Sequence, residues 1–200
     1  MSDCGCKVEA DNAAQRKVLV YLLLINGTMF LVEMITGVLA SSTALIADSL
    51  DMLADSTVYA ISLYVVGKSQ LRKARAASLS GIFQMTLAGL VLLDVVRKFV
   101  SGSEPSSTSM IGVGAIALVA NTVCLWLIAK HRKGDVHMRA SWIFSKNDVI
   151  ANISVMVAGL LVILFNSRLP DLFIGLAIAL LVFRGGVQIL QEAHREKTNG

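Results

Sequence analysis

The sequence predicts an all-α membrane protein of six transmembrane helices with both termini in the cytoplasm. Three observations predict it. Of the 200 residues, 55% are hydrophobic and 16% charged, with a mean hydropathy of +0.69; a soluble domain of this size needs far more polar surface. Six continuous apolar runs match the length a helix needs to cross a hydrocarbon core of roughly 30 Å at about 1.5 Å per residue. The two prolines and 6% aromatic residues fit helices, not a barrel whose strands alternate polar and apolar side chains.

In chain order, the spans are expected at 18–40, 43–67, 76–96, 110–129, 140–165 and 171–190. A short ASST turn joins the first two. The polar start, MSDCGCKVEADNAAQRK, reads as a cytoplasmic tail over 1–17 and not as a cleaved leader. Residues 18–190 form one six-helix membrane domain, and 191–200 a short cytoplasmic tail. Thirteen of the eighteen basic residues lie before span one, between spans two and three, between four and five, or after six. Only Arg97, Lys98 and Arg168 lie on the other side, while Lys146 and Arg184 fall inside spans. By the positive-inside rule this asymmetry sets the orientation. The net charge of +4 and pI of 9.1 are therefore a matter of topology, and nucleic acid is not the implied partner. The three cysteines make no disulfide framework: Cys124 lies in an apolar run, and Cys4 and Cys6 lie on the tail.

Span two is the exception to apolarity. It carries Asp48, Asp51 and Asp55, and spacings of three and four put them on one helical stripe. A charged carboxylate facing lipid costs on the order of 2.5–3.5 kcal/mol at mid-membrane, so the stripe is expected to face the protein interior as a cation or proton site. Span five adds Lys146, Asn147, Asp148 and Asn152. Counting helical rise, Asp51 and Asp55 lie roughly 12–20 Å below the outer boundary and Asp148 about 18 Å below it. The carboxylates of two helices thus meet at one level and form an oxygen-rich cage for a divalent cation. That many like charges in low dielectric need a cation or protons among them. The bland alternative is helix pairing through protonated carboxyls.

At these residues the chain resembles the cation diffusion facilitator family. The likeness covers the six-span domain, through S-x-A-L-I-A-D-S-L-D-M-L-A-D in span two and N-D-V-I-A-N in span five. Asp51 and Asp55 fit the family's (H/D)xxxD motif, and Asp148 fits the Asp of its HxxxD motif in helix five. The resemblance implies divalent metal–proton antiport out of the cytoplasm, with Asp51, Asp55 and Asp148 as metal ligands, no cofactor beyond the transported metal, and no enzyme activity. It further implies a homodimer in the inner membrane of a bacterium. Phe144 stands where the family has its helix-five His, so the fourth ligand is open: Asn152, Asn147 or Asn26 offer a carbonyl oxygen. A second register puts Asp148 at the His position and Asn152 at the Asp. The cytoplasmic metal-binding domain that most relatives carry after span six is not in this sequence. Without imidazole the site is hard, which admits Zn²⁺, Cd²⁺, Co²⁺, Mn²⁺ and Fe²⁺, with Zn²⁺ first by resemblance alone.

The remaining polar residues read more plainly. Asp48 lines the approach to the site or ends the helix. Asn121 and Asn26 suit inter-helical hydrogen bonds. Glu33 and Asp94 are expected near an interface or paired. Lys146 and Arg184 pair with acids or reach for the interface. Cys4 with Cys6, and His131 with His137, form incomplete soft-cation sites, and His194 is a tail residue. Gly81, Gly89, Gly112, Gly114 and Gly175 are expected to let helices approach closely. Two rival functions fit the same carboxylates less well: a monovalent cation–proton exchanger, and a membrane subunit that binds a partner without transporting.

Overall fold

A computed structural model describes the backbone of residues 3–65, 70–130 and 136–199, and the side chains of 13–64, 75, 77–130, 142, 144–191 and 193–195. Among the described residues there are six α-helices and no strand: α1 (Asp3–Leu39), α2 (Thr43–Val65), α3 (Gln70–Ser101), α4 (Ser107–Ala129), α5 (Val136–Phe165) and α6 (Leu169–Asn199). All six expected spans are helices. The ends differ, because α1 runs back through most of the expected tail and α6 runs on through the other. The side chains of Cys4, Cys6, Lys68, His131 and His137 lie outside the described residues.

Five stretches are long and apolar enough to cross a membrane: Ala13–Leu39, Ala77–Ser101, Ser107–Ala129, Phe144–Phe165 and Leu169–Arg195. The helix left out is α2, and charge excludes it, not length. Every 18-residue window within it holds Asp48, Asp51 and Asp55. Its place in the bundle compensates for this. α2 touches all five other helices, and no residue from 43 through 59 is exposed. The other helices turn apolar side chains outward, among them Leu24, Leu31, Leu93, Val119, Leu160 and Phe173, as lipid-facing surfaces do. The chain is a multi-pass integral membrane protein with one polar helix at its centre.

The remaining packing is mostly pairwise: α3 on α6, α1 on α2, and α4 on α5. Close approach depends on glycine at some of the expected positions. A Cβ on Gly81 would meet the Gly186 backbone oxygen at 2.8 Å, and one on Gly175 would meet Thr43 Cγ2 at 2.7 Å. Gly114 is similarly tight against Met156, but Gly89 and Gly112 have nothing within 4 Å, so the expected packing role fails for those two. Short turns join α1 to α2, α3 to α4 and α5 to α6 at one end of the bundle. Ser41 (φ 51°) and Asn166 (φ 45°) adopt the left-handed region where α1 and α5 end. The α3–α4 turn is tied to the α1–α2 turn by Ser106 N–H donating to Ala40 O at 2.9 Å.

Candidate metal centre

The three aspartates of α2 do face the interior. Asp48 and Asp55 are buried and Asp51 is partly buried. From α5, Asp148 is 2% exposed and lies within electrostatic reach of Asp55, Asp51, Asp48 and the α1 residue Glu33. Its Oδ2 has no hydrogen-bond partner. Asp55 Oδ2 accepts one from the Tyr59 hydroxyl, one turn on, at 3.3 Å. Acidic groups from α2 and α5 therefore share one buried region. Among the described residues, no three His, Cys, Asp or Glu side chains are already gathered tightly enough to hold a metal. The carboxylates are neighbours, not a closed cage, and like charges in low dielectric have reason to stay apart.

The asparagines divide. Asn152 Nδ2 donates to Asp48 Oδ2 at 2.6 Å, while Asn152 Oδ1 accepts from Asn121 Nδ2 at 2.9 Å. This relay joins α2, α5 and α4 through groups that would be costly alone in hydrocarbon. Asn26 is fully buried. Its Nδ2 donates to Leu22 O at 3.0 Å and to Cys124 Sγ at 3.8 Å, and its Oδ1 has no partner. Asn147 is exposed, so the structure does not bring it to the carboxylates. Lys146 is exposed too, with Nζ 6.0 Å from the centroid of the Trp142 ring.

Glu33 departs from expectation. It is not paired: it is fully buried, both carboxylate oxygens lack hydrogen-bond partners, and its charged neighbours are Asp48 and Asp51. A signal for this was present. Leu19, Leu22, Asn26, Met29, Glu33, Gly37 and Ala40 recur every three or four residues, and all are buried. Glu33 thus shares the inward stripe of α1 with Asn26.

A second polar group closes the Ser42 end of α2. Ser42 Oγ accepts from Leu45 N–H at 3.2 Å, an N-cap bond, and donates to Asp171 Oδ1 at 2.6 Å. Asp171, at the start of α6, also accepts from the backbone N–H of Thr43 at 2.8 Å and of Ala44 at 3.0 Å. Thr43 Oγ1 donates to Asp94 Oδ2 at 2.9 Å, the atom that Lys98 Nζ approaches at 2.9 Å. Asp94 is thus paired, as expected. Pattern reading did not find Asp171, because its partners are brought together only by the α2–α6 contact.

The cation efflux transmembrane domain family matches residues 19–196 of this chain. Zinc transporter ZitB of Yersinia pseudotuberculosis is 26% identical over 187 residues, covering 86% of this chain and 60% of the relative. A cadmium, cobalt and zinc/H(+)-K(+) antiporter of Bacillus subtilis is 22% identical over 198 residues, covering 92% and 63%. The metal cation efflux system protein CzcD of Cupriavidus metallidurans is 24% identical over 156 residues, covering 72% and 49%. The chain thus spans about three fifths of the length of the first two and about half of the third.

Proposed function

Because the chain belongs to the cation efflux transmembrane domain family, a family of transporters, we propose that it moves a divalent metal ion out of the cytoplasm in exchange for protons. One observation carries the reading. Asp55 and Asp148, from different helices, lie buried at 3% and 2% exposure within electrostatic reach of each other. In a lipid-embedded bundle, carboxylates so placed mark a cation or proton path. Asp51, Asp55 and Asp148 bind the ion, and Asp48, Asn121 and Asn152 steady its surroundings. Zn²⁺ is the first candidate, following the printed names of the relatives, with Cd²⁺, Co²⁺, Mn²⁺ and Fe²⁺ behind it. Metal ligands must be deprotonated, so protons and cation exclude one another, and that exclusion couples their flows. Residues 18–190 are the transport domain and both termini are cytoplasmic, following the distribution of basic side chains. The Ser42 end of α2 is then outermost. Helices rock about the site to expose it to each side in turn, in the inner membrane of a bacterium, with a homodimer as the working unit.

The test is metal-driven proton flux in proteoliposomes. Zn²⁺ or Cd²⁺ added on one side is expected to drive proton release on that same side as the metal enters, while excess Na⁺ does not compete. Asp148→Asn is expected to lower the flux about 100-fold or more, since even groups behind the ligands are worth 10–100-fold in metal affinity. Undiminished exchange in Asp148→Asn would rule out the site. Competition by Na⁺ would favour the monovalent exchanger.

A further inference from the structure

Phe144 leaves the carboxylates without an imidazole, and a different helix reaches the same region with sulfur. Cys124 of α4 is completely buried. Its Sγ accepts from Asn26 Nδ2 at 3.8 Å, and its charged neighbours are Asp148 and Asp55. It packs in a small cluster with Leu19, Leu22, Tyr59 and Ile128. In that cluster, Tyr59 is the residue whose hydroxyl donates to Asp55. The thiol therefore stands at the edge of the carboxylate region.

Two oxygen atoms beside it lack partners: Asn26 Oδ1 and Asp148 Oδ2, on residues 0% and 2% exposed. Unsatisfied oxygens are costly where no water can compensate. Asn152, by contrast, spends both ends of its amide on bonds, to Asp48 and Asn121. A thiol, an amide oxygen and carboxylates together have the composition of a ligand set for a borderline-soft divalent ion.

We propose that Cys124 is a ligand of the transported divalent ion, joining the carboxylates of Asp51, Asp55 and Asp148, with Asn26 Oδ1 beside it, in a sulfur-and-oxygen set. This rests on the transport reading above and settles its open fourth ligand differently, replacing the hard all-oxygen site that the sequence implies. On binding, the S–H bond breaks and an S–metal bond forms. The proton leaves to water on the side from which the ion enters, and no electrons change hands. Side-chain rotation draws the groups together around the ion, which supplies the attraction that the empty carboxylates lack. A thiolate favours Cd²⁺ and Zn²⁺ over Mn²⁺. The competing role for Cys124 is that of a small apolar packer.

The experiment uses the full chain with Cys4→Ser and Cys6→Ser, so that Cys124 is the one thiol left of three. In lipid nanodiscs it is titrated with Cd²⁺ alone and followed by ultraviolet absorption. A saturable thiolate-to-cadmium charge-transfer band, one equivalent per chain, is expected. Cys124→Ser should remove it, weaken Cd²⁺ binding about tenfold or more, and change Mn²⁺ binding only about twofold. Binding of Cd²⁺ that depends on Asp148 but gives no band overturns the thiol and leaves the carboxylate site standing. A band whose midpoint is unchanged in Asp148→Asn places the thiol in a separate site and also overturns it. No Cd²⁺ binding by folded protein overturns both readings. Because the band is read on protein that retains Cys124, the outcome does not depend on the serine variant folding.

Discussion

At its Ser42 end, α2 is held by polar groups that nearly all have partners. Asp171 alone accepts from the Ser42 hydroxyl and from the N–H groups of Thr43 and Ala44. Further into the bundle, polar groups on α1, α4 and α5 are just as buried but are left open: Asp148 Oδ2, both oxygens of Glu33, Asn26 Oδ1 and Asn121 Oδ1 lack partners. The first arrangement is what a membrane bundle needs in order to fold, since helix-end N–H groups find no water in hydrocarbon. The second has no such structural account, and on the proposed transport reading it awaits a cation. The difference would then separate polar residues that hold the fold from polar residues that serve a cargo.

The largest predicted contrast tests that separation directly. Asp171→Ala strands two backbone N–H groups and the Ser42 hydroxyl, and is expected to cost about 2–4 kcal/mol of stability. Thermal melting in detergent would show the loss. Asp148→Asn, expected to lower exchange, should leave the melting temperature level or slightly higher, because it removes a carboxylate whose Oδ2 has no partner. If the two variants rank the other way in melting, the open groups are structural after all.

Which half of this contrast was legible follows from how each is built. The six helices and the carboxylate stripe of α2 come from hydrophobicity and from spacings of three and four, which are local. The height of Asp148 also needs only a count along α5. Glu33 was carried by the repeat Leu22–Asn26–Met29–Glu33 in α1, a pattern overshadowed by the aspartates next to it. Asp171 and Cys124 were out of reach. Each acts through a residue on another helix, Ser42 for one and Asn26 for the other, and a single sequence contains no signal for which helix faces pair. Asn147 shows the converse. It adjoins Asp148 in sequence but is exposed, since successive helical residues are turned about 100° from each other.

Glu33→Gln sharpens the comparison from inside the open group. The amide keeps the shape and loses the negative charge that faces Asp48 and Asp51. Stability is expected to change by less than about 1 kcal/mol, while metal-driven proton flux falls roughly tenfold, equivalent to about 1.4 kcal/mol. The physical reason is the field: a buried carboxylate attracts a cation to its neighbours even without touching it. A Gln variant that melts early yet transports normally per folded molecule would move Glu33 into the structural class.

The smallest effect belongs to Arg97. Its guanidinium lies 2.7 Å from Asp94 Oδ1, but the side chain is 69% exposed. Exposed pairs at this spacing are screened and cost side-chain entropy, so Arg97→Ala should change stability by less than about 0.5 kcal/mol. Asp94 would still accept from Thr43 Oγ1 at 2.9 Å and keep the Lys98 ammonium at 2.9 Å. Melting curves of the two variants, run together, weigh burial against charge at the same end of the bundle. An Arg97→Ala loss as large as that of Asp171→Ala would mean that charge at the helix ends fastens α2 there, and buried hydrogen bonds would lose their claim to that role.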